Sequence, residues 1–188
     1  MVGTTTLDTP TPLAVDASGN IYLVLIEADG VARRPRILAL DRQTNPRWER
    51  TFTPTTVPRD PRIIVDNSGL TIFWIAGDDL FTTRLDIAGV VQQEPTALAG
   101  LPAVATYSVA ADRQGRIRIW LSGSEKQPGV VAISPSEPTT PITTIDAAGY
   151  RPIIRFDDSG VLHAIWLKDS ADGQTTFQYA SHSPGSPA

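Results

Sequence analysis

The chain has 188 residues and a formal net charge of −4, and 41% of its residues are hydrophobic. That length suits one domain with a sizeable core. The 14 glycines and 16 prolines exclude long helices, coiled coils and helical bundles. The absence of cysteine excludes a disulfide scaffold, a zinc–thiolate site and a cysteine nucleophile. The mild acidity argues against nucleic-acid binding, and no apolar run approaches the roughly 18 residues of a membrane span.

The chain contains an internal repeat built on the pattern Asp-x-x-Gly between two apolar runs. The four aspartates are 50, 46 and 45 residues apart, at Asp16–Gly19, Asp66–Gly69, Asp112–Gly115 and Asp157–Gly160. An aspartate that opens a type I turn bonds the backbone two residues on, and a glycine three residues later takes the positive φ of a tight hairpin. Each element is therefore predicted to join two antiparallel strands.

The predicted strands follow in chain order, starting with a short apolar strand before each aspartate. The second strands are predicted at Ile21–Glu27, Leu70–Ala76, Arg116–Ser122 and Val161–Lys168. The third strands are predicted at about Arg36–Leu40, Leu80–Asp86, Gly129–Ser134 and Thr175–Ala180. Three fourth strands are predicted at Arg47–Phe52, Val90–Thr96 and Thr140–Asp146.

Four strands in each 45–50 residues are typical of a β-propeller blade. We expect an all-β propeller of four four-stranded blades, with repeats at about 9–55, 56–101, 102–146 and 147–182. The N-terminal strand 3–8 is predicted to supply the outer strand that the last repeat lacks, which makes residues 1–182 one domain and 183–188 a linker-like tail. A dimer that completes a larger ring, or a fragment of a larger propeller, remains an alternative.

The fourth repeat, Pro152–Trp166 with Phe177–Ser183 after it, resembles the BNR-type, sialidase-like repeats of bacterial secreted propellers. The first repeat, Leu13–Tyr22, is also similar to NHL-type blades. The sialidase Asp-box reads Ser-x-Asp-x-Gly-x-Thr-Trp, whereas here the Asp-to-Gly spacing is one residue longer and the Ser and Thr positions do not match. The resemblance therefore implies the blade architecture and no matched catalytic residues.

No catalytic residue is predicted. A sialidase-like hydrolase needs an arginine cluster, a nucleophilic tyrosine with its glutamate and an acid/base aspartate, and none of the five glutamates lies beside a tyrosine in sequence. We expect a non-catalytic binding or scaffold module, part of a larger secreted or surface protein, that presents a rigid face to a protein or glycan. A sialidase-like glycoside hydrolase and a self-assembly unit that dimerises into a larger propeller are the alternatives.

Propeller geometry suggests a ligand site at one mouth of the central channel. The loops that lead into the innermost strands hold the candidates, which are Arg59, Asp60, Tyr107, Tyr150 and Arg151. Two arginines and two tyrosines around a pore could bind an anionic or sugar ligand. The alternative is that these residues seal a narrow channel by ion pairing.

The remaining polar and aromatic residues are predicted to be structural. Trp74, Trp120 and Trp166 fall at nearly the same place in three repeats and are expected to pack between blades. No cofactor is expected. The 15 aspartates leave a structural calcium ion as an alternative, at Asp78–Asp79, Asp157–Asp158 or Asp169–Gly173, although turn formation explains most of them.

The expected partner is a protein or a glycan, with no nucleic acid, no membrane insertion and a possible homodimer. We expect an extracellular or cell-surface location, and a cytoplasmic one is not excluded. His163 alternates with apolar neighbours in a predicted strand and is expected to be structural.

Overall fold

A computed structural model of the chain describes residues 12–29, 32–123, 130–133 and 143–183. The described residues form β-strands, turns and loops and no helix, so the protein is all-β. The strands form four separate sheets, and within each sheet the strands that are neighbours in sequence pair antiparallel. The chain divides into two compact units, residues 1–100 and 101–188, and each unit holds two of these sheets.

The first unit contains two four-stranded sheets. The first sheet consists of β1 (Leu13–Val15), β2 (Ile21–Asp29), β3 (Ala32–Leu40) and β4 (Pro46–Thr51). The second sheet consists of β5 (Pro58–Asp66), β6 (Gly69–Ala76), β7 (Asp79–Leu85) and β8 (Val91–Ala97). Their facing sides form one apolar core, because Tyr22, Val24 and Ile37 of the first sheet cluster with Ile72 and Trp74 of the second.

The second unit contains a four-stranded and a three-stranded sheet. The third sheet consists of β9 (Thr106–Ala111), β10 (Ile117–Ser122), β11 (Val130–Ile133) and β12 (Thr143–Asp146). The fourth sheet consists of β13 (Gly149–Phe156), β14 (Leu162–Asp169) and β15 (Thr175–His182). Residues 3–8, predicted to complete this last sheet, lie outside the described residues, so that pairing and the count of four closed blades stay predictions.

The predicted strands agree with the observed ones except at their ends. β3 begins at Ala32 rather than Arg36, and β15 runs to His182 rather than Ala180. β5 also begins earlier than its apolar run, at Pro58, because a bulge lets the polar residues before Pro61 join the sheet.

Five hairpin turns among the described residues share one architecture, which we call the aspartate turn. They begin at Asp16, Asp41, Asp86, Asp112 and Asp157. In each turn the aspartate Oδ1 accepts the backbone N–H groups two and four residues on, at 2.8–2.9 Å. The third residue after the aspartate has a positive φ, between 68° and 83°. The turns at Asp41 and Asp86 join third and fourth strands, a use of the motif that the repeat analysis did not predict.

The predicted turn at Asp66 differs from the other three. Asp66 pairs directly with Gly69, so the hairpin leaves out two residues rather than three. Gly69 has φ +134° and lies in β6, where a Cβ would come within 2.2 Å of the Leu85 carbonyl oxygen. Because side chains alternate between the faces of a strand, a turn that is one residue shorter moves every following side chain to the other face.

This shift separates the three tryptophans that the sequence places at similar positions. Trp74 comes eight residues after its aspartate and packs on the preceding sheet, where it stacks between Phe52 and Phe81. Trp120 also comes eight residues after its aspartate, but it faces the following sheet. There it meets Trp166, which faces the preceding sheet, with ring centroids 5.8 Å apart. All three tryptophans are less than 9% exposed.

We expect Gly69→Ala to destabilise the protein by about 3 kcal/mol, because the new Cβ would overlap the backbone of the neighbouring strand and force it to move. Gly77→Ala is the matched control, since Gly77 also has a positive φ (+64°) but nothing within 4 Å of its Cβ position. It should cost about 1–2 kcal/mol for the backbone conformation alone. Urea unfolding measures both, and equal losses would contradict the close approach at Gly69.

Candidate functional site

Each sheet has two ends that differ in chemistry. The aspartate-turn end carries the hairpins from first to second strands and, in the first two sheets, those from third to fourth strands. The other end, where β5 and β13 begin, carries a β-bulge in both of these strands, and we call it the bulge end. In β5 the register shifts between Arg59 and Arg62, and in β13 it shifts between Tyr150 and Ile153. The two bulges occupy equivalent positions in repeats two and four.

A non-glycine residue with positive φ lies in each bulge, directly before a proline. Asp60 has φ +48° and precedes Pro61, and Arg151 has φ +51° and precedes Pro152. The left-handed conformation costs about 1–2 kcal/mol for a residue with a Cβ. Strained backbone of this kind concentrates at sites where a side chain must point in a set direction.

In the first unit the bulge brings two predicted site residues together. Arg59 Nη1 lies 3.4 Å from Asp60 Oδ2, and the two side chains are 41% and 36% exposed. A long ion pair at this exposure contributes little to stability.

In the second unit the bulge places Tyr150 and Arg151 side by side. The Tyr150 hydroxyl donates to Asp169 Oδ1 at 2.7 Å, which ties the bulge to the hairpin between β14 and β15. Hydrogen bonds from Thr175 and Tyr150 hold the pKa of Asp169 below its usual range. The backbone N–H of Arg151 donates to Ser122 Oγ at 3.3 Å, and its side chain is exposed.

Tyr107 does not share this exposure. It lies in β9 opposite Leu121 and is only 4% exposed. Its neighbours are held by a hydrogen bond between Thr106 Oγ1 and Ser122 Oγ at 2.9 Å. The third sheet shows no register shift at this end of β9, so its side chains follow the regular alternation of a strand and Tyr107 points into packed protein.

At the aspartate-turn end the carboxylates are occupied by the turns themselves. The second oxygen of each turn carboxylate also accepts a side chain: Asn20 and Tyr22 on Asp16, and Arg116 on Asp112. Burial would raise the pKa of Asp112, but the backbone and side-chain bonds from Arg116 hold it below its usual range. Asp112 is therefore an ionised acceptor in the folded protein.

Asp157, His163 and Tyr179 form an exposed hydrogen-bonded chain that sequence reasoning missed. His163 Nε2 lies 3.0 Å from Asp157 Oδ2, and Nδ1 lies 2.8 Å from the Tyr179 hydroxyl. Because a carboxylate only accepts, the neutral imidazole carries its proton on Nε2 and accepts from tyrosine at Nδ1. A signal existed, since His163 follows Asp157 by six residues, as Tyr22 follows Asp16.

Asp146 links the third and fourth sheets within the second unit. Its carboxylate accepts from Trp166 Nε1 at 2.9 Å and from Lys168 Nζ at 3.0 Å. Burial would raise the pKa of Asp146, but the Ala148 N–H, Trp166 and Lys168 bonds together lower it. The arrangement fixes the buried indole and leaves no free carboxyl for chemistry.

One recess in the first unit has a polar lining. It measures about 530 Å³ and is bordered by Ser68, Arg84, Leu85, Asp86, Gln92 and Gln93. Arg84 Nη2 donates to Ser68 Oγ at 2.8 Å across it. The recess lies at the aspartate-turn end, away from the predicted site residues Arg59 and Asp60.

Within the described ranges, no three histidine, aspartate or glutamate side chains come together in a cluster that could hold a metal ion. Among the same residues, no helix is both long and apolar enough to cross a membrane.

No protein-family model matches the chain, and no curated protein matches it in sequence. Solved structures do match. A protein of unknown function from Dyadobacter fermentans has a TM-score of 0.70 at 11% identity, over 90% of this chain and 51% of that one. The chain thus spans about half the length of this relative.

Two α-L-arabinofuranosidases are also similar. The enzyme from Clostridium thermocellum has a TM-score of 0.56 at 10% identity, over 91% of this chain and 67% of that one. The enzyme from Podospora anserina, in complex with cellotriose, has a TM-score of 0.52 at 9% identity, over 91% and 62%. Related glycosidases of families GH43 and GH62 are five-bladed β-propellers. At these identities the similarity shows a β-propeller-like fold and nothing finer.

The sialidase-type resemblance of the fourth repeat holds only as far as this fold. The propeller glycosidases that match belong to families related to, but different from, the sialidases.

The pH dependence of stability follows from Asp157. Hydrogen bonds from His163, then from Ser159 and the Val161 N–H, hold its pKa well below the usual range. Because the folded pKa of Asp157 lies below its unfolded pKa, the ionised carboxylate stabilises the folded protein. This stabilisation is fully present above the unfolded pKa and is lost as the pH falls through the folded pKa. His163→Leu should raise the folded pKa of Asp157 and so make the loss of stability between about pH 5 and about pH 2 less steep.

Urea unfolding across that pH range measures the effect. Tyr179→Phe is the control, since it removes the hydroxyl on Nδ1 and leaves the His163–Asp157 bond in place. Parallel pH profiles for wild type and His163→Leu would contradict the assignment.

Proposed function

We propose that the chain is a non-catalytic β-propeller module that binds a glycan through side chains at the bulge end of its sheets. The observation that carries this proposal is the pair of equivalent bulges, in which Asp60 and Arg151 hold a strained conformation, with a partly exposed side chain at Asp60 and an exposed one at Arg151. Because the same backbone strain occurs in two repeats, we infer that the direction it gives these side chains serves a function.

The side chains suit an acidic oligosaccharide. In each unit, taken by itself, one guanidinium group at the bulge end, Arg59 in the first unit and Arg151 in the second, can donate two parallel hydrogen bonds to the carboxylate of a uronic acid. Asp60 can accept from sugar hydroxyls, and the ring of Tyr150 offers an apolar face next to Arg151. Tyr107 is buried and has a supporting role in its strand.

The state of the carboxyl groups supports a role without catalysis. Glycoside hydrolysis needs a carboxylic acid whose pKa is raised, so that it can protonate the leaving group. Seven described carboxyl groups have a displaced pKa, and all seven are displaced downwards: Asp16, Asp41, Asp112, Asp146, Asp157, Asp169 and Asp172. Each of them is an acceptor in a turn or in a structural hydrogen bond, which is the opposite of what a general acid requires.

The fold comparisons support a glycan as the ligand. The two similar structures described above with known activities are α-L-arabinofuranosidases, and one of them holds cellotriose. The same fold comparison favours the second candidate, a glycoside hydrolase, which the carboxyl groups do not support. The test below separates the two.

The binding test uses oligogalacturonate as the acidic probe and arabino- and xylo-oligosaccharides as neutral probes, with isothermal titration calorimetry. We expect the acidic probe to bind, and Arg151→Asn to weaken it at least tenfold, because a hydrogen bond to a charged group contributes about 1.5–3 kcal/mol. Asparagine suits this exchange because it tolerates positive φ and removes the guanidinium group with its charge.

Thr44→Asn is the matched control, since Thr44 has φ +68° in an exposed turn at the aspartate-turn end. It should bind as the wild type does. Failure to bind any probe, or equal affinities for the wild type and Arg151→Asn, would contradict the site. Release of free sugars from any probe would favour the hydrolase.

A further inference from the structure

The fourth sheet has an exposed apolar face. The register places Ile153, Ile165 and Tyr179 opposite one another across its three strands, with Leu167 beside Phe177 one step along. Their exposed fractions reach 53% for Ile153, 62% for Tyr179 and 79% for Phe177. We call these five residues the last-sheet patch. Contiguous exposed apolar surface of this kind marks an interaction surface.

The corresponding face packs on the following sheet in the first and third repeats. Ile165 comes eight residues after its turn aspartate, as Val24 and Trp120 do, and these three turns have the same length. Val24 is fully buried against the second sheet, and Trp120 is 5% exposed against the fourth. Tyr179 is the cross-strand partner of Ile165, as the fully buried Ile37 is of Val24. The last-sheet patch is therefore the surface that seats a following sheet.

The first sheet also has an exposed apolar face, on the side opposite to the one that packs on the second sheet. On the side away from Tyr22 and Val24, it carries seven aliphatic residues of which none is fully buried: Leu13, Val15, Ile21, Leu23, Leu25, Leu38 and Leu40. We call them the first-sheet patch. Leu13 and Val15 are 57% and 51% exposed.

This first-sheet face corresponds to the one that packs on a preceding sheet in the fourth repeat. Leu13 pairs with Leu23 as Ile154 pairs with Ala164, yet Ile154 is fully buried against the third sheet. The chain thus carries one surface that seats a following sheet and one that seats a preceding sheet, and described residues cover neither.

We propose that a second copy of this chain covers these patches, with the last-sheet patch of one copy packed on the first-sheet patch of the next. In both sheet interfaces described within the chain, the face that seats a following sheet packs on the face that seats a preceding sheet. A second copy repeats that same combination, whereas contact between two last-sheet patches would join two faces of one type. The contact is heterologous, so it closes into a ring of copies or extends as a filament according to the rotation between them.

Light scattering after size exclusion, over a concentration series, tests the proposal. The wild type should have a mass that is a multiple of the 20.2 kDa chain mass. Val15→Asp and Phe177→Asp each place a charge in one patch, so each variant alone should have the mass of one chain. Both positions are more than half exposed, and unchanged circular dichroism verifies that the variants are folded.

An equimolar mixture of the two variants gives the sharpest result. Val15→Asp keeps its last-sheet patch and Phe177→Asp keeps its first-sheet patch, so the mixture should form a complex of two chains and no larger one. Val90→Asp is the control, since Val90 is 53% exposed and lies outside both patches, and it should assemble as the wild type does.

Three results would overturn the proposal. They are a wild type with the mass of one chain at every concentration, a mixture that stays monomeric, and loss of assembly in Val90→Asp. A single-chain mass together with a large loss of stability in Val15→Asp would instead indicate that the two patches meet within one chain.

Discussion

The hydrogen bonds that one aspartate carboxylate accepts from the backbone of its turn determine the rest of this structure. One oxygen accepts the N–H groups two and four residues ahead, which closes the hairpin with three residues outside the ladder. The turn length sets the register, and the register decides which side chains of the next strand face which sheet. In a protein made of stacked sheets, that decision determines the core.

The second repeat shows how much depends on a single residue. Its turn at Asp66 is one residue shorter, which places Trp74 on the opposite face from Trp120 although both lie eight residues after their aspartates. The shorter turn also brings the backbone of Gly69 against Leu85, where only glycine fits. The longer turn at Asp16 and the shorter turn at Asp66 each contain an aspartate and a glycine. In the longer turn Gly19 takes the positive φ, and in the shorter turn Gly69 allows the close approach to Leu85.

The sequence was sufficient to predict the repeat, the strand order and the turns from first to second strands, because these depend on local pattern and on glycine and aspartate chemistry. It did not reveal the turn at Asp41, where Thr44 takes the positive φ that glycine usually takes. The sequence also did not predict on which face of its sheet each side chain lies, because this depends on whether a turn leaves out two residues or three.

The candidate site was also predictable only in part, because some of its features depend on local sequence and others on the assembled sheet. The sequence analysis put Arg59, Asp60, Tyr150 and Arg151 in loops that enter the innermost strands, whereas the structure has them in the bulges near the start of β5 and β13. A bulge before a proline is a property of the assembled sheet, so the difference between exposed Arg151 and buried Tyr107 had no local signal. The Asp157–His163–Tyr179 chain combines residues from two strands and a turn, and only the repeat position of His163 hinted at it.

The assignment of sheet faces by turn length is tested most directly by far-ultraviolet circular dichroism, through the exciton couplet that two paired indoles produce. Trp120 and Trp166 lie 5.8 Å apart with their rings tilted by 57°, which couples their transitions, whereas Trp74 lies between two phenylalanines. Trp120→Phe and Trp166→Phe should each abolish the couplet, and Trp74→Phe should leave it in place. A couplet that survives the loss of Trp120 or Trp166 would contradict the assignment of sheet faces by turn length.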